Sequence, residues 1–121
     1  MIKRPLNPRF GIAVRDRRKT TTIRATAWPL GKPIMLYHWR GAPYRSKQQD
    51  VAAIVVARTS PIHITHGADG HMRYDCPELP TRPLYETEGF ATASDMDDWF
   101  RLVVPRGKTV CRHLMHFGLA P

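Results

Sequence analysis

Eleven prolines and eight glycines are spread along the 121 residues, and they cut the chain so often that only short helices and strands fit between them. Asn7-Pro8 reads as a helix start, with a capping side chain followed by proline at the first helical position. The pattern then predicts strands over 20–25, 34–39 and 51–58, the last a run of apolar and β-branched residues suited to the centre of a sheet. Residues 40–47 form a basic loop. An alternating strand over 61–65 is separated from a short one over 71–74 by the turn signal Gly67-Ala68-Asp69-Gly70. A short helix is expected over 84–86. Ser94 is the expected cap of a longer helix, with Asp97 completing a capping-box variant. Met96, Trp99, Phe100 and Val103 fall at helical spacing and should face the core. Pro105 ends that helix, and a final strand covers 109–117. The sum is one α+β domain over residues 1–121, a small, mostly antiparallel β-barrel flanked by two or three short helices.

Hydrophobic residues make up 42% of the chain, enough for one real core, and no apolar run nears the roughly 20 residues of a membrane helix. The segment Met1-Ile2-Lys3-Arg4-Pro5 lacks the apolar stretch of a secretory signal. Two cysteines, Cys76 and Cys111, make no disulfide framework, so a cytoplasmic location is expected and a membrane partner is not. Cys111, among apolar neighbours, is expected to be a buried thiol. The charge is lopsided. Residues 1–47 hold twelve Lys and Arg against one acid, Asp16, whereas residues 48–121 hold seven against nine acids. Basicity confined to one segment is expected to make a positive face that attracts phosphate, on a nucleotide or an RNA, with scatter of these cations around the folded surface as the alternative.

The segment Arg18-Lys19-Thr20-Thr21-Thr22-Ile23-Arg24 carries the most chemistry. A lysine in a protected pocket can lose its proton and act as a base, and Thr22, three positions on, is a candidate nucleophile for it. Consecutive β-branched residues favour extended backbone, which puts Thr20 and Thr22 on one face and Thr21 on the other. A polar edge strand beside a basic turn is the plainer alternative.

The run Phe10, Ile12 and 18–24 resembles the first signature of ASCH domains, the PUA-like β-barrels, in which a helix leads into G-[RK]-K-[TS]-x-T-x-R. The later Glu88-Gly89-Phe90-Ala91-Thr92-Ala93-Ser94, with Met96 and Trp99-Phe100, is similar to that family's second signature, an E-G-F turn entering a capped helix. Asp16-Arg17 stands where the family has glycine, which leaves the Lys-x-x-Thr spacing intact. Some bacterial members are amidohydrolases that remove the acyl group from N(4)-acetylcytidine and related acylated cytosines. The resemblance implies their triad at Lys19, Thr22 and Glu88, with Glu86 the fallback for the acid. It implies an acylated nucleoside or nucleobase as substrate, no cofactor, and a monomer or homodimer.

For that reaction Thr22 would supply the hydroxyl and a neutral Lys19 its base, with Arg17, Arg18 and Arg24 pushing the lysine toward neutrality. Glu88 would orient the lysine or act on water. Arg24 would hold the oxyanion or the triad, and a salt bridge to an acid of the second half is its alternative. Trp39 or Tyr44 would stack the base, with plain packing as the alternative. His63/His66 and His113/His116 make no expected metal site, because residues three apart in a strand face opposite sides. The rival function is non-catalytic RNA binding by a PUA-like module, with a metal-free ribonuclease behind it.

Overall fold

One strand, β4 (Gln48–His66), organises the sheet, and the computed structural model of the protein describes it together with every other residue from Met1 to Pro121. It runs for nineteen residues, through the Thr59-Ser60-Pro61 segment where the sequence predicts a break between two strands. The reason lies in its partner. Strand β6 (Lys108–Leu119) pairs antiparallel with β4 from Ile54↔Leu119 to His66↔Lys108 and so bridges both halves. On the other edge of β4, β3 (Pro33–Trp39) covers Gln48 to Val55 and β5 (Met72–Asp75) covers His63 to His66. Pro61 lies in the gap between them, where a missing N–H removes no ladder bond. A bulge between Val56 and Arg58 bends the strand.

The ends of the sheet are β1 (Ile2–Pro5), parallel to β3, and β2 (Thr21–Arg24), antiparallel to β6. The order is β1-β3-β4-β6-β2, with β5 on β4. The end strands β1 and β2 do not pair with each other, so the sheet is open and mixed where the sequence reading expects a closed barrel. Each is only four residues long, and a 3-10 turn (Pro8–Phe10) and helix α1 (Gly11–Arg15) connect them. The α+β class stands, with α2 (Leu84–Thr87) and α3 (Ala93–Val103) completing three helices.

Asn7 caps the first turn as its position predicts, Oδ1 accepting from the Arg9 N–H at 3.1 Å. At α3 the cap is Thr92, two residues before Ser94. Thr92 is extended (φ −139°, ψ 159°), which points its Oγ1 at the Asp95 N–H, 3.1 Å away. Thr92→Ala is expected to cost about 1 kcal/mol and lower the thermal midpoint by a few degrees, with Ser94→Ala nearly silent. Differential scanning calorimetry of the two variants checks this.

Ile34, Leu36, Ile54, Val56, Ile62, Ile64, Leu114 and Met115 form the fully buried layer of the sheet, and Met96 and Phe100 pack on it from α3. Two expectations fail here. Val103 is 48% exposed, because it ends the helix beside a cavity. Cys111 is exposed, because β2 covers β6 only from His113 to His116.

Candidate active site

The segments around Lys19 and Glu88 meet at one place because a backbone bond stitches them together. The Thr20 N–H donates to the Thr87 carbonyl at 2.8 Å, and the Lys19 N–H donates to Ala13 at 2.9 Å. Lys19 thus sits between α1 and β2, while Glu88 follows α2. Gly89 then turns the chain with φ +93°, a conformation that favours glycine.

Lys19, Thr22 and Glu88 are each 4% exposed, and all three line a single cavity of about 200 Å³. Lys19 Nζ donates to the carbonyls of Thr21 (2.8 Å) and Glu88 (2.7 Å) and lies 3.8 Å from Glu88 Oε1. Two N–H groups satisfy both carbonyls, so the third position on the nitrogen is a proton in the ammonium and a lone pair in the free amine. Burial pushes the Lys19 amine down to about 8, helped by Arg24 and opposed by the Glu88 carboxylate. Arg17 and Arg18 do not contribute. Arg17 is exposed, and Arg18 turns outward to pair with Asp16 at 2.9 Å.

Glu88 Oε2 accepts from the Thr21 hydroxyl at 2.5 Å, and Thr21 also reaches Thr87 Oγ1 at 3.0 Å. Thr22 Oγ1 accepts from Arg24 Nε at 3.0 Å, and its own proton is claimed by no protein acceptor. Thr21 therefore serves the carboxylate while Thr22 is presented to the cavity, a division that follows from strand alternation. Burial lowers the Arg24 guanidinium's proton affinity and Glu88 works against that, while its Cζ lies 4.8 Å from the Trp28 ring centroid.

The apolar wall comprises Phe10, Phe90, Trp99 and Phe100. Phe10 and Phe90 meet edge to face at 5.2 Å, and Lys19 Nζ lies 4.8 Å from the Phe10 centroid. Arg9 covers the Phe10, Phe90 and Trp99 rings from outside, at 5.2, 5.2 and 5.6 Å. A cation over ring faces stabilises such a cluster and marks its rim.

Arg24 joins the cavity, but Trp39 and Tyr44 do not. They lie at the β3–β4 loop with their rings 5.2 Å apart, and Tyr44 is 90% exposed. The aromatic wall comes instead from residues the sequence reading treats as signature or core positions, because only folding brings Phe10 against Phe90 and Trp99. Glu86 stays outside the cavity, near the Tyr85 hydroxyl at 3.4 Å. Thr21 and Arg112 are missed altogether. Thr21 was legible as the opposite face of the threonine run, whereas nothing in the local pattern singles out Arg112. The four histidines at paired spacing do not assemble, and His66 Nδ1 instead meets the Val104 carbonyl at 2.8 Å. No family model matches the chain, and neither a curated protein nor a solved structure does.

Proposed function

We propose that the protein is an amidohydrolase that removes the acyl group from N(4)-acylated cytidine or cytosine compounds, with Lys19 as base, Thr22 as nucleophile and Glu88 as their electrostatic partner. The observation that carries the reading is the burial of these three side chains on one cavity, with the lysine amine pushed down to about 8 by burial and the Thr22 proton unclaimed. The family likeness stays part of the proposal.

The free amine of Lys19 takes the Thr22 proton as the threonine oxygen attacks the acyl carbon. Arg24, already bonded to that oxygen through Nε, has its terminal N–H groups free for the developing oxyanion. The C–N bond then breaks, and the Lys19 ammonium returns its proton to the exocyclic nitrogen, freeing cytidine. Water, deprotonated by the same amine, attacks the acyl-threonine, and the Lys19 ammonium returns that proton to the Thr22 oxygen as the ester bond breaks and the carboxylic acid leaves. Glu88 offsets the positive charge on Lys19 each time it holds a proton. The aromatic wall accommodates a flat pyrimidine, and a cavity of about 200 Å³ suits a small molecule better than a duplex.

The test is incubation with N(4)-acetylcytidine, following cytidine by chromatography. No cytidine at millimolar substrate sinks the reading. The pH profile is a second expected result. Only the neutral amine can accept a proton, so kcat/KM should rise about tenfold per pH unit below about 8 and level off above it. A flat profile from pH 6 to 10 removes Lys19 as the base.

The β3–β4 loop favours RNA binding as a second reading. Tyr37, Trp39 and Tyr44 touch ring to ring there, beside the exposed Arg40, Arg45 and Lys47. Oligonucleotide affinity that falls steeply with salt, without any turnover, would favour it.

A further inference from the structure

Arg112 is the cavity's unexplained cation. It is half-buried on β6 and lines the cavity, and its one protein hydrogen bond goes from Nη1 to the adjacent Cys111 carbonyl at 3.0 Å. None of the six ion pairs in the protein involves it or Arg24. The only acid on the cavity wall is Glu88, which is already engaged by Lys19 and Thr21. Three cations against one carboxylate leave this small space short of negative charge.

The position of Arg112 says what kind of anion fits. Thr22 pairs with Met115, and Arg112 lies three residues from Met115 along β6. Three strand residues span about 10 Å and end on the opposite face of the strand, so Arg112 borders the cavity away from Thr22, where the far end of a ligand reacting at Thr22 would lie. The aromatic wall of Phe10, Phe90 and Trp99 lines the same cavity. A molecule with an acyl group, a flat ring and a terminal anion matches that series.

We propose that Arg112 forms a phosphate subsite, so that the cavity takes cytidine as its 5′-phosphate in preference to the neutral nucleoside. This rests on the cytosine-directed reading above and adds the phosphate to it. An arginine fork offers parallel N–H groups that suit phosphate oxygens, and a charge-assisted pair in a partly dry cavity gains more than one in open solvent.

Isothermal titration calorimetry with cytidine and cytidine 5′-phosphate tests it without any chemistry. The phosphate form should bind about tenfold to a hundredfold tighter. Arg112→Gln should reduce that difference to less than about threefold while the variant melts within a few degrees of the parent. Lys32→Gln removes an exposed cation in the β2–β3 turn, and it should leave the difference intact. A trinucleotide with a 5′-phosphate shows whether the phosphate arrives on a free nucleotide or on an RNA end. Equal binding of the two ligands, binding of neither, or an equal loss in Lys32→Gln overturns the proposal. Should Arg112→Gln unfold, Arg112→Lys keeps the test, since a point charge without the fork should lose part of the preference. Failure to release cytidine from N(4)-acetylcytidine would count against the hydrolase alone and leave the binding result standing.

Discussion

Lys19→Met is expected to abolish hydrolysis, lowering kcat by at least about 10³-fold, and to destabilise the fold by about 3 kcal/mol. The two effects have separate causes. Catalysis is lost because Lys19 is the only lysine lining the cavity with Thr22. Stability is lost because methionine leaves the buried Glu88 carboxylate without its cation and the Thr21 and Glu88 carbonyls without a donor. Adding Glu88→Gln to Lys19→Met should recover part of the stability and none of the activity. Thr22→Val should remove turnover to the same degree with the fold nearly unaffected, and the double variant with Lys19→Met should be no slower than either alone, because the two groups act as a unit. Urea unfolding and cytidine release measure both quantities; a Thr22→Val protein that retains turnover points to attack by water instead.

Lysine burial also sets a pH dependence of stability. The folded-state amine titrates at about 8 and the ordinary value is 10.5, so the unfolded chain binds more protons between these values. Stability from this group therefore rises as pH climbs from about 8 toward 10.5, and its charge-burial cost is fully present below about 8. In Lys19→Met that slope should vanish.

The second large effect is expected at Gly89. A Cβ there would lie 3.0 Å from Phe10 Cδ1 and 3.3 Å from Lys19 Cβ and Cδ. Neither neighbour can yield easily. The Phe10 ring is held between Phe90 and Trp99, and Lys19 Cβ is fixed to the backbone ahead of β2. The φ of +93° adds strain for any residue with a side chain. Gly89→Ala should cost about 3 kcal/mol and shift the Lys19 amine within the cavity it shares with Thr22, lowering kcat much more than it changes KM. Gly107 shows the contrast. It also has a positive φ, but nothing lies within 4 Å of its added Cβ, so Gly107→Ala should pay only the conformational strain of about 1 kcal/mol. Thermal melts and steady-state kinetics of the pair separate crowding at the site from strain alone.

Local rules carried much of the architecture. The Asn7-Pro8 start, the Gly67–Gly70 turn, the proline stop after α3 and most strand positions follow from capping, turn chemistry and β-branched runs, which act over a few residues. The errors share a cause. Continuity of β4 through Pro61 depends on β6 spanning both halves, and the cap at Thr92 depends on an extended approach that the residue types alone leave open between Thr92 and Ser94. Closure of a sheet depends on whether its end strands meet, and here β1 and β2 do not.

For the candidate site, the sequence alone determined that a lysine, a threonine three residues on and a glutamate before Gly-Phe are present, because spacing and residue identity are local properties, and their grouping as one triad is what the family resemblance implies. Tertiary structure decided what those groups can do. Burial moved the Lys19 amine to about 8, strand alternation assigned Thr21 to the carboxylate and Thr22 to the cavity, and packing exchanged Trp39 and Tyr44 for Phe10, Phe90 and Trp99. Proton affinity and cavity shape depend on what surrounds a group in space, and residues 69 positions apart become neighbours only when the chain has folded.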